Sequence, residues 1–553
     1  MRISTASCWC LLMLAAGTAA AQPTVPAGGV VNVASYTPVG LPGSGIAQGS
    51  IFTVFGSNLG PANITYASYP LPTQLAGTSI QVTVGGVTVN AIMIYSAAGQ
   101  VAAILPSSTP VGNGTLTVTY NGQTSVPVSV QVVQSSFGIF ARNQAGSGPA
   151  VVQNYKSPTE QPFNSLLAPA KPRQVEILWG TGLGPVSGDE TRAPQGGNLP
   201  VDVKVFVGGK QANIFYKGRT PCCAGEDQIN FEVPEGVEGC TVPVAVQAGG
   251  VVSNHTTMSI SSSDTVCSDA TGYSAADLKA AVNNGKFSAG SVVLSRTGVR
   301  FAAPTSAALD ITSDNGSGSF FRYDASRLVN SLGNFGFVSL GGCLVFTFRG
   351  QNASITDPVR PDPLDAGPAL TVAGPNGTKQ LDLVTKGHYS ATLGGGFPGL
   401  PGTLPPYLDK GQYTVTGPGG ADVGQFTATI NLPDPLVWTN QDSITTVLRS
   451  QDLPITWSGG DPNAFVFITG YSVSADNVGA TFTCTERVSA GQFTVPSFVL
   501  SALPPSGSSE GVPLGGLLVG TTPLPGPNKF TAPGLDAAYF IYSMSFLKSA
   551  GFE

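Results

Sequence analysis

The stretch Ile51-Phe52-Thr53-Val54-Phe55-Gly56-Ser57-Asn58-Leu59-Gly60-Pro61 returns as Val175-Glu176-Ile177-Leu178-Trp179-Gly180-Thr181-Gly182-Leu183-Gly184-Pro185. In each copy an apolar extended run ends in a glycine-punctuated turn, the pattern of a half-buried strand. Three more blocks recur in the same order: Leu71-Pro72 with Leu199-Pro200, Val84-Gly85-Gly86 with Val207-Gly208-Gly209, and residues 100–106 with 228–234. All sit at offsets of 123 to 128 residues. Blocks held in register over that distance mean two copies of one domain.

Within copy one, 78–84 alternates polar and apolar residues, and Gly85-Gly86 turns it into Val87-Thr88-Val89, a hairpin signal. Residues 115–120 and 126–132 close the copy around Asn121-Gly122. Such strand density per copy is that of an immunoglobulin-like sandwich. The whole chain fits this reading. Charged residues are 10%, well below the roughly 25% of an average soluble domain. Gly (71) and Pro (44) supply turns, while helical periodicity is nearly absent. The fold class is all-β: tandem immunoglobulin-like sandwiches, further β-rich domains behind them, and one or two short helices.

The net charge of −6 comes without a basic cluster, which excludes nucleic acid and anionic membrane surfaces as partners. Arg2, the apolar run 10–16 and Ala19-Ala20-Ala21 form a signal peptide over 1–21, cleaved before Gln22. That run is too short to span a bilayer, and no later segment is long enough. The expected location is therefore extracellular or cell-surface. Six cysteines follow the signal: Cys222, Cys223, Cys240, Cys267, Cys343 and Cys484. Export favours disulfides over zinc, whose CxxC or Cys/His spacing is missing. The first four lie within 46 residues and are read as a local staple joining Cys240 to Cys222 or Cys223, leaving Cys343 to Cys484.

The elements Val31-Asn32-Val33-Ala34-Ser35-Tyr36, Gly49-Ser50, the two LGP blocks and Asp227-Gln228-Ile229-Asn230-Phe231 together resemble a domain repeated in secreted acidobacterial (Solibacter-type) proteins. That domain is itself similar to IPT/TIG immunoglobulin-like domains. The resemblance covers residues 27–262 and implies fold and export, with no activity attached. Copy one departs from it, with Gln100-Val101-Ala102-Ala103 in place of Gln228-Ile229-Asn230-Phe231.

These signals divide the chain into sandwich repeats at 27–135 and 136–262, a β-rich domain at 268–434, and an immunoglobulin-like domain at 435–553. The third contains a short helix capped by Ser274 and stopped by Asn283-Asn284-Gly285. In the fourth, Trp457 and Cys484 take the places of an immunoglobulin core pair.

Reactive constellations are scarce. His255 and His388 are the only histidines, and neither has a local carboxylate and nucleophile, so both are expected at the surface. Glu226-Asp227 and the trio Asp357, Asp362 and Asp365 are the densest acidic groups and are expected to serve turns. Calcium is the one cofactor that the loops suggest, through Asp310, Asp314, Asn315 and Gly316 or through that trio. Phe55 and Trp179 are read as core plugs, with sugar-stacking aromatics as the alternative, and Trp438 and Trp457 divide the same way. The function expected is a non-catalytic binding or structural protein contacting a glycan, protein or matrix component. The alternative is an extracellular carbohydrate-active enzyme, or its accessory region, with a cleft in 268–434.

Overall fold

The computed structural model describes residues 21–194, 196–263, 265–270, 274–301, 309–324, 338–349, 361–396, 403–523 and 528–553. The signal segment lies outside them except for Ala21. The chain is all-β, with two short α-helices among the described residues, Ala275–Asn284 and Ser497–Ser501.

Copy one is a two-sheet sandwich. One sheet runs in the order Val30–Asn32, Ile51–Phe55, Gln100–Ile104, Ile92–Ser96, Thr65–Tyr66. The other runs Ile46–Ala47, Val128–Val133, Gly112–Tyr120, Thr78–Val84, Gln74–Leu75. The strand Thr78–Val84 buries Ile80, Val82 and Val84 against Phe52, Val54 and Val101. Period-2 alternation therefore builds the interior, where a fully buried Phe52 contributes roughly 1.5–3 kcal/mol. Gly85 and Gly86, at φ of 56° and 82°, make the two-residue turn that returns the chain as Val87–Asn90.

Copy two repeats the plan. Gly138–Ile139, Val175–Thr181, Asp227–Glu232, Ile214–Arg219 and Gly197–Asn198 form one sheet. Lys210–Ala212, Val203–Val207, Gly239–Ala248 and Val251–Val252 form the other, with Leu178, Val205, Ile229, Phe231 and Val244 between them.

Beyond residue 285 the division at 434/435 is not a division of the sheet. One 14-stranded sheet runs through the whole region, because Lys286–Phe301 pairs in parallel with Ala537–Ser549, Ala289 opposite Ala537 and Arg300 opposite Lys548. Two cores share it. The first joins Val292, Phe320, Leu381 and Tyr413 to Phe540 and Tyr542 from the C-terminal strand. The second takes Cys343 and Val345 from the preceding segment to pack with Trp438, Trp457 and Phe482. Chain order fails as a guide because strands are exchanged between the cores.

The helix Ala275–Asn284 starts where the Ser274 hydroxyl accepts the Asp277 backbone N–H at 3.2 Å, and it stops at Gly285, φ 68°. Its buried Leu278 and Ala281 pack on Cys240, Cys267 and Phe287. That packing corrects the staple: Cys240 is bonded to Cys267, with Cα atoms 5.3 Å apart, while Cys222 is bonded to its neighbour Cys223. The loop bearing the vicinal pair is drawn toward copy one, away from Cys240, by contacts described below. Cys343 is bonded to Cys484 directly across a strand ladder, Cα atoms 4.0 Å apart.

Candidate functional site

The shared motifs converge on the joint between the copies. Asn32 Nδ2 donates to the carbonyls of Ser136 and Thr181, at 3.2 and 3.4 Å, and Thr181 Oγ1 accepts the Ile51 N–H at 2.9 Å. Arg219, buried, donates to the carbonyls of Gly49 at 2.7 Å and Gly184 at 2.9 Å, and pairs through Nη1 with Asp227. The second Asp227 oxygen accepts the N–H groups of Gly182 and Leu183 at 2.7 and 2.8 Å. Burial pushes the Asp227 carboxyl up, and Arg219 with those N–H groups opposes it. The glycines of the LGP turn thus present backbone to a buried guanidinium. Asp227 is a joint residue and not the solvated turn acid expected from sequence.

The vicinal disulfide loop belongs to the same joint. Ala224 packs on Ile51, Leu71, Ile92 and Ile104, on the outer face of the first sheet of copy one. Its N–H donates to the Tyr69 hydroxyl at 2.8 Å, and a side chain at Gly225 (φ 75°) would strike Ile51 and Ile104. The Sγ atoms of Cys222 and Cys223 lie within 4.8 Å of a Glu226 carboxylate oxygen. With the sulfurs bonded to each other, no thiolate is left to ligate zinc.

Past that loop the same sheet face is open and aromatic. A register shift between Met93 and Tyr95 places Tyr95 opposite Ala102, which itself opposes Thr53. Tyr66 pairs with Tyr95 across the next ladder, their rings 6.0 Å apart and edge-on. Phe55 lies at the end of Ile51–Phe55 with its ring 6.1 Å from Tyr36. Tyr36 is held at φ 50°, a costly conformation for a non-glycine residue, and its N–H donates to the Asn32 carbonyl at 3.1 Å. Tyr66 is 68% exposed and Phe55 37%, so Phe55 is no core plug. Trp179, its counterpart, is half-buried and donates Nε1–H to Gln153 Oε1 at 2.9 Å. Gln100 Nε2 donates to Thr53 Oγ1 at 3.0 Å beside these rings. Burial raises the hydroxyls of Tyr36 and Tyr95, which keeps both neutral.

Of this face the sequence named only Phe55, as the sugar-stacking alternative to a core plug; Tyr36, Tyr66 and Tyr95 were missed, although a signal was available. From residue 3 to residue 141 the chain has no Asp, Glu, Lys, Arg or His. The charge lies beyond, beginning at Arg142.

The residues read as chemical are otherwise occupied. Asp314 is buried, grips Arg296 with both oxygens at 2.7 Å, and accepts the N–H groups of Tyr407 and Leu408 at 2.7 and 2.9 Å. Burial works against its charge, yet Arg296 and those N–H groups hold its carboxyl below the usual range. Its acceptors are used inside the protein and do not form an oxygen cage for calcium. Asn315 Nδ2 donates to Ser313 at 3.0 Å, and Gly316 lies against Leu381. Asp365 accepts the N–H groups of Gly367 and Ala421 in a turn, and Asp362 is exposed. Asp357 and the Asp310 side chain lie outside the described residues.

His255 is buried, not at the surface, because Phe206 of copy two stacks on Phe498 at 4.0 Å and closes over it. Burial pushes its pKa down to about 4. His388 is exposed, 3.3 Å from the Ser319 hydroxyl, and among the described residues no carboxylate hydrogen-bonds its ring. Trp438 and Trp457 are both buried, donating Nε1–H to Asn440 and to the Val488 carbonyl. Glu176 is also buried, and among the described residues neither of its carboxylate oxygens has a hydrogen-bond partner.

A cleft of about 550 Å³ opens between the two C-terminal cores, lined by Asn431, Asp461, Asn463, Arg487, Ser489 and Tyr542 among others. It straddles the expected 268–434 domain and the region after it. Asp461 is the only carboxylate in its lining, so the pair that glycoside hydrolysis requires is missing there among the described residues.

No protein-family model and no curated protein matches this chain. Among solved structures it is similar to the plexin A4 extracellular region, at 14% identity and TM-score 0.17, covering 45% of this chain and 19% of that one. A Bacteroides ovatus mixed-linkage glucan utilization locus protein, SGBP-B in complex with a heptasaccharide, is 8% identical at TM-score 0.14, covering 83% and 89%. Domains 5–6 of the S-layer protein SbsC give 14% identity and TM-score 0.16, covering 44% and 100%. The chain thus spans about a fifth of the plexin. Likenesses this weak carry no argument about function. Among the described residues no helix is long and apolar enough to cross a membrane.

Proposed function

We propose that this chain is an exported, non-catalytic binding protein of the acidobacterial secreted-repeat type, in which interlocked sandwiches display a ligand face on copy one. The observation that carries the reading is the row of rings on one sheet face, with Tyr66 and Phe55 exposed and Tyr36 and Tyr95 half-buried beside them. A soluble domain normally buries such rings or uses them in recognition. Among the described acidic candidates, Asp227 serves the joint, Asp314 a buried ion pair and Asp365 a turn. The rival, a carbohydrate-active enzyme, would act in the C-terminal cleft, where Asp461 is the one carboxylate among the described lining residues.

The test is a glycan and matrix-protein array probed with the mature protein. A saturable hit weakened by Tyr66→Ala but unchanged by Arg487→Ala is expected. Hydrolysis of any arrayed glycan, abolished by Asp461→Asn, would replace this reading with the enzymatic one.

A further inference from the structure

We propose that the aromatic face of copy one takes an uncharged polysaccharide chain and discriminates against charged ones; this rests on the binding reading above and names its ligand class. Two independent features meet at this face. The first is the row of rings. Sugar rings present C–H faces that pack on aromatic rings and hydroxyls that exchange hydrogen bonds with neighbouring polar groups. Tyr66 and Tyr95 lie edge to face across one ladder, Phe55 and Tyr36 form a second pair, and the half-buried Gln100 amide sits beside them, anchored on the buried Thr53 hydroxyl. A rigid sheet, a register shift that aims Tyr95 outward, and an Asn32-anchored turn that holds Tyr36 fix the rings before any ligand arrives.

The second feature is the absence of ionisable charge over residues 22–141. Among the described residues, charged side chains from elsewhere in the chain reach this sandwich at its borders. Glu190 accepts from Ser107 at 2.7 Å, Arg219 donates to Gly49, and Arg349 donates to the carbonyls of Val39 at 2.7 Å and Ala27 at 3.5 Å. A uronate or sulfate laid over Tyr66 and Tyr95 would lose water and gain no counter-charge from copy one itself, the Arg349 guanidinium lying at the Ala27–Gly28 edge, so polyanions are disfavoured by desolvation. A neutral chain meets no such cost. Protein partners are the weaker fit, since a face without charges offers neither steering nor complementary pairs.

Affinity electrophoresis of the full mature protein through gels holding β-glucan, xylan, galactomannan, polygalacturonate or heparin tests the proposal. Retardation by at least one neutral polymer, by neither polyanion, and unchanged between about 0.05 and 1 M sodium chloride is the expected result. Tyr66→Ala should weaken it roughly tenfold, with Tyr66→Phe close to wild type and the melting temperature of both unmoved, because Tyr66 is exposed. Salt-sensitive retardation by a polyanion overturns the ligand class. So does a concentration-dependent dimer that Tyr66→Ala abolishes, or a protein hit on the array that depends on these rings; in each case the binding reading stands. Absence of binding to every glycan and protein probed overturns both.

Discussion

The two copies share a strand order, a core and a bulged strand, and they differ in what they do with the side chains that point away from the core. In copy one Tyr95, half-buried, meets the exposed ring of Tyr66 edge-on; in copy two Tyr216, after the same kind of register shift, donates its hydroxyl to the Arg219 carbonyl at 2.5 Å and accepts the Gly197 N–H at 3.1 Å. Phe55 is open, whereas Trp179 is tied to Gln153. Asp227 anchors a buried ion pair at the position where copy one has Gly99. The inward residues keep the sandwich, and the outward ones were free to diverge into a joint in one copy and a face in the other. Duplication supplies the scaffold and the solvent-side alternation supplies the difference.

The largest way to break this comparison is Arg219→Ala. It strands Asp227 without its cation and should cost about 3–5 kcal/mol in denaturant unfolding. A loss below about 1 kcal/mol would mean the joint does not rest on the pair.

Next is pH. His255 is held near 4 when folded against 6.5 ordinarily, so the unfolded chain binds its proton more readily. Its contribution is whole above pH 6.5 and is lost as pH falls toward 4, amounting to roughly 3 kcal/mol. Wild type should therefore weaken over that window relative to His255→Phe, and a constant difference between the two would sink the assignment. Glu176 has the opposite sign. Burial raises its carboxyl well above 4.5, so its neutral form is favoured and stability falls as pH rises past 4.5. The stability gain of Glu176→Leu should accordingly grow from pH 4 to pH 8. Copy one contains no group of either kind.

The smallest effect sharpens the contrast most directly. Tyr216→Phe should cost about 1 kcal/mol of stability by losing two backbone partners, while Tyr66→Phe, at a ring 68% exposed, should cost less than about 0.5 kcal/mol, because water replaces what its hydroxyl gives up. Equal losses would erase the functional distinction between the copies.

Local pattern was enough for much of this. Alternation in 78–84, the Gly85-Gly86 turn and the recurrence of the LGP block specify strands, a hairpin and two sandwiches, because each depends on neighbours a few residues away. The helix with its Ser274 cap and Gly285 stop was readable for the same reason. What the motifs are for was not readable. Asn32, Gly49, Gly184 and Asp227 read as turn residues in isolation, and only the docking of one copy on the other makes them a joint. Cysteine partnership, the burial of His255 under Phe498, and the sharing of one sheet between the C-terminal cores likewise depend on segments brought together from far along the chain. The aromatic face is a mixed case: its lack of charge is written in the sequence, but whether Tyr95 looks inward or outward is set by a single bulged residue whose register only the paired strands decide.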